Sequence, residues 1–163
     1  MDVFPFHRIA VATDGSDSAS SAVRLASDLA KRYDAELLIV AVAPMPTILS
    51  SPNGPIVPPT MPQSQVPVYR DLVDTAVAAA RASGVRAVSG VCEEGAPVDE
   101  ILAQVKDHGV DLLVVGSRGL STAERLLLGS VSSGLVHHAP CPVLVVRLPT
   151  PQSKPKPTPK RGR

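Results

Sequence analysis

The sequence predicts a single α/β domain with a five-stranded, doubly wound parallel sheet and helices on both faces. Five short apolar runs alternate with amphipathic helical patterns, which is the order that a parallel sheet with helical crossovers requires. Hydrophobic residues make up 44% of the 163 residues, whereas aromatic residues make up only 2%. A core of small aliphatic side chains is typical of a sheet that helices cover on both sides.

The predicted strands are the most apolar runs of the chain, and each is short for a helix. They cover residues 9–13, 37–42, 85–92, 112–115 and 143–146. Helical patterns fill the intervals between them. Ser16 or Asp17 can cap the first helix, and Pro97 begins the third, which His108-Gly109 ends. Right-handed crossovers then place the helices on both faces of the sheet.

Two segments interrupt this alternation. Residues 44–67 are rich in Pro, Ser and Gln and predict a long exposed loop, because proline disrupts the interior of helices and strands. Residues 148–163 are rich in Pro, Lys and Arg with little to bury, and they predict a disordered tail. The folded domain is therefore expected to span residues 1–147.

Composition excludes several classes of function. The net charge of +1 indicates neither nucleic-acid binding nor an acidic substrate, and the scarcity of aromatic residues argues against single-strand binding. The start of the sequence does not resemble a signal peptide, and no apolar run is long enough to cross a membrane, so we expect a cytoplasmic protein. Cys92 and Cys141 are too few for a disulfide framework, and their apolar surroundings predict buried free thiols.

The carboxyl ends of the predicted strands are the places where such a sheet binds ligands, at the point where the strand order reverses. Asp14, Ala43 and Gly116 lie at the tips of strands one, two and four. Gly116 opens a segment with the spacing Gly116-x2-Gly119-x9-Gly129-Ser130. Glycines allow close backbone approach, and the N–H groups at a helix start after Gly129 attract phosphate.

Two interpretations of this glycine-spaced segment remain open from the residues alone. It forms either a polyphosphate cradle or merely a strand-to-helix turn with a helix cap. The segment is neither a Walker A loop, because it lacks Gly-Lys-Ser/Thr, nor the dinucleotide-binding Gly-x-Gly-x-x-Gly. His137 and His138 lie near Cys141 but have no further cysteine pair or acidic ligand beside them, so we predict no protein metal site there.

The same spacing resembles the Gly-x2-Gly-x9-Gly-Ser/Thr signature of the ATP-binding universal stress proteins. The first strand with its turn, Thr13-Asp14-Gly15-Ser16, and the closing segment at residues 141–147, Cys-Pro-Val-Leu-Val-Val-Arg, are also similar to that family. The resemblance covers about residues 5–147. It implies a Rossmann-like universal stress protein fold for the domain.

The resemblance also implies a nucleotide pocket. Asp14 would accept hydrogen bonds from the ribose, and Val42 would contact adenine through its backbone. Gly116 and Gly119 would approach the ribose and phosphates. The residues that would hold the β- and γ-phosphates are Gly129, Ser130, Val131 and Ser132. Mg²⁺ or Mn²⁺ would accompany ATP, held by phosphate oxygens and water rather than by protein ligands.

The sequence thus predicts an ATP-binding regulator of the stress response, a nucleotide-dependent switch with slow or no hydrolysis. No His or Lys lies between Gly116 and Ser130 to serve phosphoryl transfer. One alternative is a module that binds AMP or a cyclic nucleotide. Another is an adenylating enzyme of the PP-loop class, whose loop the residues at 14–18 resemble only in part. The apolar strand at 143–146 predicts a sheet edge and a homodimer, while a downstream partner cannot be read from the sequence.

Overall fold

A computed structural model of the chain describes residues 6–45, 49–51, 54–56, 64–117 and 128–148. The strands within these ranges are β1 (Arg8–Ala12), β2 (Glu36–Pro44), β3 (Leu49–Ser51), β4 (Gly54–Ile56), β5 (Val88–Gly95), β6 (Leu112–Gly116) and β7 (Val143–Val146). The helices are α1 (Asp17–Tyr33), α2 (Val66–Ala82), α3 (Pro97–Asp107) and α4 (Ser130–His138).

The main sheet has five parallel strands in the order β5-β2-β1-β6-β7, which confirms the predicted fold class. The chain builds the β1-β2-β5 half first and then crosses to β6 on the other side of β1. The strand order therefore reverses between β1 and β6, and β7 is an edge strand as predicted. Ligands of doubly wound sheets bind above such a reversal, at the carboxyl ends of the strands.

Helices cover both faces of the sheet. Side chains of the central strands point alternately to either side, so each face has an apolar surface for helices to pack against. Ile9 and Val11 of β1 pack under α1 and α2. Leu38 and Val40 of β2 pack under α3 and α4. The buried positions of α1 are largely alanine and serine, so this helix lies close to the sheet.

The helix termini follow the predicted capping residues. The Ser16 side chain caps α1 by accepting the Ala19 N–H at 3.2 Å. Pro97 opens α3, and His108 ends it. Gly129 precedes α4 in an extended conformation, so the helix begins at the predicted Gly129-Ser130 pair.

The third predicted strand is displaced. It covers Val88–Gly95 rather than residues 85–92. Val85 is buried but belongs to the turn after α2, where its N–H donates to the Ala80 carbonyl at 3.2 Å. Val85 is therefore apolar because it is buried in this turn, and not because it pairs in a strand. Both cysteines are free thiols as predicted, but they are only partly buried.

The proline-rich segment at residues 44–67 contains more structure than the predicted loop. Strands β3 and β4 pair antiparallel as a separate two-stranded ribbon, in which Pro55 lies opposite Ser50. A ribbon of two strands consists only of edges, where proline is tolerated. Pro67 lies in the first turn of α2, where a missing N–H costs no hydrogen bond.

The remaining residues of that segment, 46–48, 52–53 and 57–63, lie outside the described residues, as do residues 149–163 of the predicted tail. None of the helices in the described part of the chain has the length and apolar character needed to cross a lipid bilayer.

Candidate nucleotide site

A notch lies at the carboxyl edge of the sheet because β1 ends before both of its neighbours. Pairing between β1 and β2 ends at Ala12 opposite Val40, and the Thr13 N–H donates to the Val40 carbonyl at 2.9 Å. Strand β2 continues to Pro44, and β6 continues to Gly116. The notch above β1 thus coincides with the reversal of strand order.

Asp14 lies in the turn that floors this notch. Its Oδ1 accepts the Ser16 N–H at 3.0 Å, and Thr13 Oγ1 accepts the Gly15 N–H at 3.3 Å. Gly15 has a φ of +83°, a conformation that glycine adopts without strain. Two short side chains therefore hold the turn, and the Asp14 carboxylate is fixed at the end of β1 and half-buried.

Val42 offers its backbone to the notch. The Glu36 N–H donates to the His7 carbonyl and the Thr13 N–H to the Val40 carbonyl, so the even-numbered residues of β2 direct their peptide groups toward β1. Val42 continues this alternation two residues beyond the last pairing with β1. Its N–H and C=O consequently face the space above β1, while its side chain is 7% exposed and belongs to the core.

Gly116 brings β6 into close contact with the start of α1. A Cβ at this position would lie 2.6 Å from Ser18 Oγ and 2.8 Å from the Ala19 backbone nitrogen. The Ser18 hydroxyl and the Ser117 N–H both donate to the Val146 carbonyl, at 3.3 Å and 2.8 Å. The glycine is therefore required for packing at the edge of the notch, in addition to its predicted proximity to the ligand.

Gly129 and the following residues present backbone donors. The Gly129 N–H donates to the Ser117 carbonyl at 2.9 Å, which joins the start of α4 to the end of β6. The Ser133 N–H makes the first bond of the helical ladder, to the Gly129 carbonyl at 2.9 Å. The N–H groups of Ser130, Val131 and Ser132 precede this ladder and point out of the helix N-terminus. Such groups attract anions.

The Ser132 side chain has a structural role. Its hydroxyl is buried and donates to the Gly116 carbonyl at 2.7 Å. The hydroxyl proton is thus used in the hydrogen bond to β6. The backbone N–H is the donor of Ser132 that remains for an anion. Ser130, by contrast, is exposed at the first helical position.

Of the predicted site residues, Gly119 lies outside the described residues. The other seven lie along the carboxyl edge of the sheet or at the adjoining start of α4. They are Asp14, Val42, Gly116, Gly129, Ser130, Val131 and Ser132.

The beginning of α2 also borders the notch, which sequence reasoning missed. Leu72 packs against the Gly15 turn, where a Cβ would lie 3.4 Å from Leu72 Cδ1. The Cys92 thiol lies 3.8 Å from the Val66 carbonyl. Tyr69 lies between these two contacts, and burial, followed by the Asp14 carboxylate and Cys92, raises its pKa above the ordinary value. The signal available in the sequence is the three-residue spacing of Tyr69 and Leu72, which places both side chains on one face of α2.

A second concavity lies at the opposite, amino-terminal edge of the sheet. It is open and polar, and its lining includes Lys31 and the ion pair between Arg86 and Asp34 at 3.1 Å. It lacks the strand tips, the glycine-spaced segment and a helix N-terminus. The carboxyl-edge notch is therefore the better candidate for a functional site.

Comparison with known proteins shows which family the fold resembles. The sequence matches the model of the Universal stress protein family over residues 5–147. The chain belongs to the universal stress protein family. This universal stress protein is 36% identical over 150 residues to YxiE of Bacillus subtilis, with 87% of the chain and 99% of the relative covered.

Solved universal stress proteins share its architecture. UspA from Lactobacillus plantarum superposes with a TM-score of 0.63 at 27% identity, covering 87% of this chain and 98% of that one. A universal stress protein solved in complex with cAMP superposes with a TM-score of 0.64 at 31% identity, covering 87% and 97%. Both likenesses cover most of the chain and confirm the family fold.

Proposed function

We propose that this universal stress protein is a cytoplasmic regulator of the stress response that binds an adenine nucleotide, with ATP as the preferred ligand. The observation that carries the proposal is the notch above β1, which has a carboxylate on its floor, a free peptide edge on one side and the N-terminus of α4 nearby. These are the groups that a sugar, a base and a polyphosphate need. The related protein in complex with cAMP supports nucleotide binding as the shared activity.

The ligand is proposed to lie along the edge of the sheet. The Asp14 carboxylate, an obligate acceptor, would take hydrogen bonds from the ribose hydroxyls. The N–H and C=O of Val42 form a donor-acceptor pair that matches an adenine edge. Gly116 and Gly119 would leave room for the ribose and phosphates. The N–H groups at the start of α4 would hold the β- and γ-phosphates.

A divalent cation would be held mainly by the nucleotide. Within the described ranges, no group of three or more His, Cys, Asp or Glu side chains could enclose a metal ion. Mg²⁺ characteristically keeps several waters and binds phosphate oxygens. The residues of the notch fit this arrangement, and Mg²⁺ or Mn²⁺ bound there would neutralise phosphate charge.

Regulation rather than turnover is the proposed role. Phosphoryl transfer requires positioned cationic groups and a residue that orients the nucleophile. The segment from Gly116 to Ser130 contains two arginines but no His or Lys. The hydrogen bonds of Ser117 and Ser132 couple β6 to α4, so a ligand that bridges these elements would stabilise one arrangement of them.

The second candidate ligand is AMP or a cyclic nucleotide, which the relative in complex with cAMP favours. The nucleoside contacts are the same for all of these ligands. The N–H groups of Ser130, Val131 and Ser132 distinguish them, because several donors at one helix N-terminus match a ligand with more than one phosphate.

The proposed function is tested by denaturing the purified protein and identifying any released nucleotide by mass spectrometry. Calorimetric titration with ATP, ADP, AMP and cyclic AMP then ranks the ligands. We expect ATP to bind most tightly, with one site per chain. Absence of binding by every adenine nucleotide would contradict the proposal, and a preference for cyclic AMP would favour the second candidate.

The edge strand β7 supports a proposed homodimer. The carbonyls of Pro142 and Val146 accept N–H groups from β6 and the residue after it. The alternation of the strand therefore directs the peptide groups of Val143 and Val145 outward. The exposed large apolar side chains in this part of the chain are Val136 at 45%, Leu144 at 36% and Leu148 at 45%.

We expect size-exclusion chromatography with light scattering to show a dimer at micromolar concentration. Leu144→Lys places a charge on the edge and should shift the protein to a monomer, because lysine opposes pairing of edge strands. Circular dichroism serves as the control for folding. A wild-type monomer, or a folded Leu144→Lys dimer, would show that β7 is not the interface.

A further inference from the structure

The first two turns of α2 reach over the carboxyl edge of the sheet. Val66 contacts Cys92 of β5, and Leu72 contacts the Gly15 turn after β1. Strand β2 lies between β5 and β1 in the sheet. Tyr69 is three residues from each of these contacts, and it shares one helix face with Leu72. Its side chain therefore begins above the end of β2, between the two contacts.

The electrostatic environment of Tyr69 agrees with this placement. The side chain is half-buried, and the groups that raise its pKa after burial are the Asp14 carboxylate and Cys92, one on each side of β2. The nearby acidic groups on β5 have other partners: Glu93 accepts Gln104 Nε2–H at 3.1 Å, and Glu94 accepts the Ser64 hydroxyl at 3.5 Å.

Tyr69 differs from the other aromatic residues that the structure describes. Phe6 and Tyr33 pack against each other edge to face, with ring centroids 5.2 Å apart, at the amino-terminal edge of the sheet. Tyr69 is thus the one described Phe or Tyr side chain at the carboxyl edge. A tyrosine supplies a flat apolar wall and an O–H donor, both absent from the carboxylate and peptide groups of the notch.

We infer that Tyr69 positions the nucleoside part of the ligand. Its ring forms the wall of the notch on the α2 side, and its hydroxyl, together with the Asp14 carboxylate, hydrogen-bonds the sugar hydroxyls. This inference rests on the proposed nucleotide site and deepens it. It assigns nucleoside selection to a residue of α2, whereas phosphate binding is assigned to α4.

Calorimetry with Tyr69→Phe tests the role of the hydroxyl. We expect the Kd of ATP and of AMP to rise by about fivefold each, the equivalent of one hydrogen bond, because both ligands share the nucleoside. Tyr69→Ala also removes the wall and should raise both values further. Tyr33→Phe, the matched change in the other tyrosine, should leave both unchanged. In an Asp14→Asn background the effect of Tyr69→Phe should shrink, since the two residues act on the same group.

A second measurement needs no ligand. The chain has two tyrosines and no tryptophan, so Tyr33→Phe leaves Tyr69 as the sole phenol in an ultraviolet pH titration. We expect a midpoint above the ordinary value of about 10, and a lower midpoint once Asp14→Asn removes the carboxylate charge.

The outcomes separate this inference from the proposed function. If the wild type binds no adenine nucleotide, the proposed function fails, and the inference fails with it. If the wild type binds and Tyr69→Phe binds equally well, only the inference is overturned. A phenol midpoint that does not respond to Asp14→Asn would also overturn it, because the two side chains would then not be neighbours.

Discussion

Gly116→Ala is expected to lower the free energy of unfolding by about 3 kcal/mol, near the upper end of typical overpacking costs. The added Cβ would lie 2.8 Å from two backbone atoms, the Ala19 nitrogen and the Ser18 carbonyl carbon. Backbone atoms in the first turn of a capped helix cannot rotate aside as a flexible side chain can. Relief of this contact would have to move β6 away from α1, which would also distort the notch.

Urea denaturation of the variant measures this effect. Gly109→Ala is the matched control, because Gly109 has a φ of +59° and a Cβ there would lie 3.6 Å from Arg8 Nη1, an ordinary contact. The control should lose only about 1 kcal/mol, from backbone conformation alone. Equal losses in the two variants would mean that the contact between β6 and α1 is not a tight one.

Ser130→Pro is expected to weaken ATP binding by at least about tenfold while leaving the free energy of unfolding within about 0.5 kcal/mol of the wild type. Ser130 is the first residue of α4, where proline is favoured, and Gly129 before it has φ −69° and ψ 162°, the conformation that proline requires of its predecessor. The change therefore removes one N–H and one hydroxyl from the helix start without breaking the helix.

Calorimetry with ATP and AMP measures the effect of Ser130→Pro on binding. Ser130→Ala is the control that removes the hydroxyl but keeps the N–H, and it should cost less affinity than the proline. AMP should lose little affinity with either variant, because the start of α4 is proposed to hold the β- and γ-phosphates. Unchanged ATP affinity in a folded Ser130→Pro protein would show that α4 does not bind the polyphosphate.

Most of the fold could be predicted from the sequence because local signals and the overall topology agree. The apolar runs of the central strands, the Ser16 cap and the start of α3 at Pro97 each require only a few neighbouring residues. The errors have a common cause. Val85 is apolar because it is buried in a turn, and Pro55 lies in a strand because that strand belongs to a separate two-stranded ribbon. Neither the turn that buries Val85 nor the separate ribbon that holds Pro55 can be recognised from a few neighbouring residues.

The site residues that lie at the ends of strands could be predicted from the sequence. Asp14, Val42 and Gly116 lie at such ends, so the order of the elements places them on one edge. Contacts between distant residues were not predictable. The Ser132 hydroxyl donates to Gly116, sixteen residues earlier, and Leu72 of α2 packs on Gly15 after β1. These contacts depend on how each helix sits on the sheet, which is set by packing throughout the core.

Amide chemical-shift mapping during ATP titration locates the bound nucleotide on the fold. We expect shifts along the carboxyl edge, at the amides of Asp14, Val42, Gly116 and the start of α4, with Tyr69 among them. The amides of Lys31 and Arg86, which line the concavity at the opposite edge, should stay unchanged. Shifts confined to that opposite edge would show that the nucleotide does not bind in the notch.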